Sequence, residues 1–160
     1  MLPVIHALLL ILIANGAPIL ARRLMGNTGA CPLDTGRQFI DGEPLFGNQK
    51  TVRGLLAALV LTTAAAMLLG LPASIGLLVG GGSMCGDLLT SFIKRRLHIA
   101  PSGRAPVLDQ VPESLLPAWL AADAIGLDTL DMLIVVVMFI LLGQFLSRLL
   151  FALNVRKRPY

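Results

Sequence analysis

Charge is the scarcest commodity in this chain. Only 14% of its 160 residues are Asp, Glu, Lys or Arg, where soluble domains carry roughly a quarter, and mean hydropathy is +0.81. That balance excludes a soluble domain and predicts an all-α integral membrane protein. From Arg53 to Asp87 there is no charge for 33 residues. As one helix this stretch would run roughly 50 Å at 1.5 Å per residue, too long for a single crossing of a hydrocarbon core about 30 Å thick. Gly70-Leu71-Pro72 therefore marks a hairpin between two helices.

Other shortages exclude other classes. The two cysteines, Cys31 and Cys85, have neither CxxC spacing nor a disulfide-rich setting, so they are expected to be packed free thiols. No Lys or Arg precedes the first apolar run; a secretory signal with its basic n-region is not expected, and residues 2–21 should remain as a helix. The two histidines, His6 and His98, fall near the outer face and in a loop, which leaves no convincing catalytic base. Gly42-x4-Gly47-Asn48-Gln49-Lys50-Thr51 is two residues too long for a Walker A loop and follows no strand, so a P-loop is rejected.

The positive charge lies in three places. All 13 Lys and Arg sit in stretches that flank apolar segments, where anionic headgroups and positive-inside orientation account for a pI near 9.7 better than nucleic acid does. Five spans are expected, at 2–21, 54–70, 73–93, 111–127 and 129–150. With the N-terminus outside, Arg22, Arg23, Arg37, Lys50 and Arg53 fall in one cytoplasmic loop. Lys94, Arg95, Arg96 and Arg104 fall in the next, and Arg148, Arg156, Lys157 and Arg158 in a cytoplasmic tail. The fourth span is interrupted by Pro112, Glu113, Pro117 and Asp123, yet if it failed to cross, the cationic tail would be moved outside. The outer connections are short and free of cations. One membrane-embedded domain, 1–160, is expected in the cytoplasmic (inner) membrane, multi-pass, with both polar loops and the active site facing the cytoplasm.

The third helix carries the most informative pattern. At about 100° per residue, Gly76, Gly80, Ser83, Asp87, Ser91 and Lys94 share one face. The glycines fit close helix packing. Asp87 lies roughly 10 Å inside the cytoplasmic helix end, a depth at which a carboxylate is costly and faces the bundle interior or a hydrated cavity. Asp109, ahead of the Pro112 break, returns a second carboxylate to the membrane surface, where the two can share magnesium, an ion satisfied by one or two carboxylates plus phosphates and water. The first loop adds Asp34, Arg37, Asp41, Lys50, Thr51 and Arg53 among glycines, a backbone and charge pattern able to hold phosphates at the start of the second helix. Asn15, in the inner half of the first helix, is placed either to bond a neighbouring helix or to line the same cavity.

The run Gly86-Asp87-Leu88-Leu89-Thr90-Ser91-Phe92-Ile93-Lys94-Arg95-Arg96, then Gly103 and Leu108-Asp109-Gln110, resembles the signature of lipid cytidylyltransferases. Asn15-Gly16-Ala17-Pro18, Pro32-Leu33-Asp34-x-Gly36-Arg37, Asp41-Gly42, Gly47 and Lys50-Thr51-x-Arg53-Gly54 resemble the small CDP-archaeol synthase family, whose members have five spans. The chain departs from the larger diacylglycerol enzymes: it lacks their Lys-Asp pair after the KR and their His-Gly-Gly before Asp109, and has Gln110 where they have Arg. The resemblance implies transfer of a cytidylyl group from CTP to a lipid phosphate, giving a CDP-lipid and pyrophosphate, with Mg²⁺. It implies Asp87 and Asp109 as metal ligands, with Lys94, Arg95, Lys50 and Arg53 at the phosphates. Asp34, Arg37 and Asp41 would order the loop or touch nucleotide, and Ser91 a phosphate oxygen or metal-bound water. The competing reading from residues alone is a small transporter or channel with Asp87 in a polar pathway.

Overall fold

The computed structural model describes residues 1–99 and 106–152; Gly103, Arg104, Arg156, Lys157 and Arg158, to which the sequence assigns motif or orientation roles, lie outside the described residues. The described chain is helical: α1 Leu2–Met25, α2 Val52–Leu68, α3 Ala73–Arg96, α4 Pro106–Leu120, the single turn α5 Ala122–Ile125, and α6 Thr129–Ala152.

Local rules explain most of these boundaries. α1 starts with proline in its first turn and ends with Arg22 and Arg23, which complement the negative end of the helix dipole. Thr51 caps α2, its Oγ1 accepting from the Gly54 amide at 3.3 Å. The expected hairpin is present: Leu71 N donates to Ala66 O at 2.9 Å and Gly70 N to Met67 O at 3.0 Å, with Gly70 at φ +75°. This is a Schellman ending with proline one residue later, which stops the helix and reverses the chain.

The fourth segment differs from the expectation. Helix begins at Pro106 and stops at Leu120, not at 111 and 127, so Asp109 and Pro112 lie within it. Pro112 does not break the helix; the missing amide bond is tolerated inside a bundle, and nearby Ser114 Oγ donates back to Gln110 O at 2.7 Å. Fifteen residues give about 22 Å of helix, shorter than a hydrocarbon core. α1 and α3 are each long and apolar enough to cross a membrane, while α2 and Thr129–Phe145 are shorter apolar helices.

Packing is inside-out relative to a soluble protein. The core is built largely of small or medium residues such as Ala7, Leu10, Ile11, Ala66, Val79, Ala118, Ala121 and Val135. Large apolar side chains face outward, among them Leu68 at 88%, Phe145 at 65%, Val60 at 64% and Trp119 at 63% exposure. An exposed apolar belt of this extent suits lipid, and a core of small residues lets helix backbones approach closely. The cysteines are free but not packed; Cys31 and Cys85 are both exposed, Cys85 because it sits on the side of α3 opposite its buried neighbours.

The glycines of α3 seat two helices. A β-carbon at Gly76 would collide with Thr63 of α2, and one at Gly80 would stand 3.4 Å from Ala58 O. At Gly82 and Gly86 it would strike Pro117 and Pro112 of α4. Gly76 and Gly80, from the small polar face read in the sequence, thus form a seam with α2, while Gly82 and Gly86, which lie off that face, form one with α4.

Candidate active site

A cavity of about 340 Å³ opens at the level of Asp87, lined by Pro18 and Arg22 of α1, the loop residues Asn27, Asn48, Gln49 and Lys50, Thr51 and Arg53 at the start of α2, and Met84, Asp87 and Leu88 of α3. Three cations, Arg22, Lys50 and Arg53, therefore share the cavity wall with one carboxylate. The N-terminus of α2 lies on the same wall and its dipole favours anions, although Val52 N is already paired with Cys31 O at 3.1 Å and Gly54 N with the Thr51 cap.

The loop from Gly26 to Lys50 is held in shape by its own carboxylates. Asp34 is buried at 4% exposure; its Oδ1 accepts from Gly36 N at 3.1 Å and its Oδ2 from Phe46 N at 3.1 Å and Gly47 N at 2.9 Å. Burial alone would raise its pKa, but the amides of Gly47, Phe46 and Gly36 together outweigh that cost and hold the carboxyl below its ordinary value. Asp41 accepts from Glu43 N at 3.1 Å and faces Arg96 Nε at 2.7 Å. Arg96 then donates to Pro44 O at 2.9 Å and lies 4.8 Å from the Phe39 ring centre and 4.7 Å from that of Phe92. The end of α3 clasps the loop by charge, hydrogen bonds and cation–π contact together.

Lys50, just ahead of the α2 cap, reaches α3. Lys50 Nζ lies 2.5 Å from both carboxylate oxygens of Asp87. Arg53, from the first turn of α2, donates to Thr28 O at 2.5 Å and Gly26 O at 2.8 Å, tying the end of α1 to the pocket rim. On the far side of Asp87, Lys94 Nζ stands 2.7 Å from Asp109 Oδ1, in ionic contact but not aligned as a hydrogen bond.

The residues singled out from the sequence do not all converge. Asp87, Lys50, Thr51 and Arg53 line the cavity. Asp109 and Lys94 form the neighbouring α3–α4 pair. Asp34 and Asp41 order the loop, and the exposed Arg37 joins it through backbone bonds. Asn15 spends its amide on Ile11 O of its own helix at 3.0 Å. Ser91 and Arg95 are buried at 4% exposure each and do not line the cavity, although Ser91 shares the helix face of Asp87 one turn away. Among the described residues no three His, Cys, Asp or Glu side chains are grouped closely enough to cage a metal.

Sequence reasoning missed the amides Asn27, Asn48 and Gln49, which carry no spacing signal, and Arg22, which it read only as a flanking cation. It also missed Glu113. That side chain lies against Asp87, with Lys50 and Asp109 in Coulombic range; its position four residues after Asp109, hence on one face of a helix, was the available clue.

Residues 1–160 match the family described as CarS-like: CDP-archaeol synthase. A CDP-archaeol synthase from Sulfolobus acidocaldarius is 33% identical over 157 residues, covering 93% of this chain and 91% of the relative. One from Hyperthermus butylicus is 35% identical over 113 residues, 67% of this chain and 64% of the relative. A solved structure described as an intramembrane enzyme for archaeal membrane lipid biosynthesis superposes with a TM-score of 0.74 at 31% identity, over 95% of this chain and 92% of that one.

Proposed function

The chain belongs to the CDP-archaeol synthase family, and from that premise we propose that it transfers the cytidylyl group of CTP to a phosphorylated archaeal-type membrane lipid, releasing pyrophosphate. The observation that carries the reading is the cavity in which Lys50, Arg22, Arg53 and the α2 N-terminus surround Asp87 at the membrane-facing end of a loop. This is an arrangement for a triphosphate, and the apolar belt around it suits a lipid acceptor. Five crossings with the N-terminus outside would turn the cavity to the cytoplasm, where CTP is; the short α4 would then cross where the bilayer thins around it.

A divalent cation belongs to this reaction class, and the donor set fits one. Asp87 and Asp109 are hard oxygen ligands on facing helices, and two carboxylates are enough for Mg²⁺ when phosphates and water complete its shell. When bound, the cation would neutralise charge on the triphosphate and on the departing pyrophosphate. The chain's own residues do the rest. The lipid phosphate is already mostly ionised near neutrality, its second pKa being about 6; its oxygen bonds to the α-phosphorus as the bond to pyrophosphate breaks, and no protein base is needed. Arg22, Lys50 and Arg53 offset repulsion between the two anions, and the clasped loop holds them in line, so catalysis is positioning and electrostatics.

In this scheme Lys50 exchanges Asp87 for phosphate when nucleotide enters, and Lys94 remains with Asp109 or meets the acceptor phosphate. The test is direct. Purified protein with labelled CTP, Mg²⁺ and a range of lipid phosphates should release pyrophosphate, with CTP preferred over ATP, GTP and UTP. Asp87→Asn should lose nearly all turnover while keeping its melting temperature; an active Asp87→Asn variant refutes the assignment.

A further inference from the structure

The outward stripe of α3 runs on under the first loop. Leu78 at 41% exposure, the exposed Cys85 and Leu89 at 49% recur on one face of the helix. Phe92 and Arg96 continue that face one and two turns further along, and both are half-buried because the loop folds over them. The Phe39 ring stands edge-on to Phe92, with centres 5.3 Å apart and planes at 86°, while Asp41 meets Arg96 at 2.7 Å.

The segment that reaches the stripe is a tight hairpin. Phe39 N donates to Glu43 O at 2.8 Å and Gly42 N to Phe39 O at 3.0 Å, with Gly42 at φ +81°, the geometry of a three-residue loop closed by a left-handed glycine. Phe39 and Asp41 are both spent on Arg96. Ile40, between them at the apex, is 95% exposed, the most exposed large apolar side chain among the described residues. Turns that face water take mainly Gly, Pro, Asn, Asp and Ser, so a branched apolar residue held out at the apex needs a partner outside the chain.

Its position says which. Leu89 belongs to the apolar belt that faces lipid, and Phe92, which carries Phe39, lies only about 4.5 Å further along the axis. The tip is therefore level with the headgroup layer, roughly 5–8 Å thick on each side of the hydrocarbon. Arg96 behind the tip and the exposed Arg37 at the hairpin base add the cations that favour an anionic lipid surface.

We propose that the Phe39-Ile40 tip is an interfacial membrane anchor: Ile40 is immersed at the boundary between headgroups and acyl chains, and the loop that carries Asp34 and Lys50 is thereby held onto the bilayer. This goes beyond the reaction and requires only the membrane around the bundle.

Spin-label accessibility tests it. The full chain with Ile40→Cys in a Cys31→Ser, Cys85→Ser background carries one nitroxide, in vesicles of phosphatidylcholine and phosphatidylglycerol. Power saturation then compares oxygen, which concentrates in hydrocarbon, with a water-soluble nickel chelate. Ile40 is almost fully exposed, so replacing it removes no packing on which folding depends. Oxygen should relax the label more than the chelate does, shifting the ratio towards that of a label on Cys85 in Cys31→Ser protein, the lipid-facing reference on the same stripe. A label relaxed more by the chelate overturns the proposal. A second measurement needs no label. In the same vesicles the amides of residues 39–43, corrected for intrinsic rates, should exchange several-fold faster in Ile40→Asp than in wild type, and equal rates also overturn the anchor. Neither readout uses CTP, so failure of cytidylyl transfer leaves both standing, and turnover with an aqueous Ile40 label sinks the anchor alone.

Discussion

Adding one methyl group at Gly86 should damage both stability and turnover, and the same change at Gly81 should damage neither. At Gly86 the new carbon would stand 2.9 Å from Glu113 N and closer still to the Pro112 carbonyl, against a comfortable approach of 3.4 Å or more. Relief needs at least the 0.5 Å difference at Glu113 and more at Pro112, so α3 and α4 must part by about 1 Å at this level. Overpacking of that kind costs about 1–3 kcal/mol, partly offset by the 0.5–1 kcal/mol that alanine gains over glycine within a helix. A net loss of about 1–2 kcal/mol corresponds to a melting temperature lower by about 2–8 °C for a chain of this length. Separating Asp109 from Asp87 by about 1 Å should cost up to about 100-fold in turnover. At Gly81 the nearest atom is Leu59 Cδ2 at 4.0 Å, so Gly81→Ala should keep full turnover and melt at or slightly above wild type. Thermal melts in detergent and pyrophosphate release on the two variants are the assay. Equal behaviour of Gly86→Ala and Gly81→Ala would refute the claim that a tight α3–α4 seam positions the carboxylates.

Three further outcomes follow from the loop. Asp34→Ala strands the amides of Gly36, Phe46 and Gly47, a loss of about 1–3 kcal/mol for each buried group left unpaired, and should expose residues 34–47 to faster hydrogen exchange while the helices stay protected. Since the folded pKa of Asp34 lies below its ordinary 3.8, its contribution is complete above pH 3.8 and disappears as pH falls through the lower folded value; loop exchange should rise relative to Asp34→Asn only in that acid window, and a rise centred above it would contradict the assignment. Arg96→Gln removes the charge that meets Asp41, Phe39 and Phe92, so the KM for CTP should rise several-fold, the equivalent of about 1 kcal/mol of lost cation–π and ionic contact, with kcat less affected. A fall in kcat at unchanged KM would place Arg96 in the chemistry instead of in the loop clasp.

Much of the architecture was legible because it is local. Helices long enough to need lipid, the reversal at Gly70-Leu71-Pro72, the Thr51 cap and the close-packing glycines all follow from backbone conformation and side-chain size, which neighbouring residues determine by themselves. The same holds for Asp87: a carboxylate that deep in an apolar helix needs a polar partner whatever the fold. Which partner it takes is another matter. Lys50 is 37 positions away and meets Asp87 only in the folded bundle; Asp109 pairs with Lys94 instead, and Asn15 with its own helix. Glu113, which interrupts an apolar run in the linear chain, becomes the neighbour of Asp87 once Gly86 lets α4 sit down on α3. Helix rotation, depth and separation decide such meetings, and these depend on the packing of the whole bundle, so no reading along one strand of residues contains them.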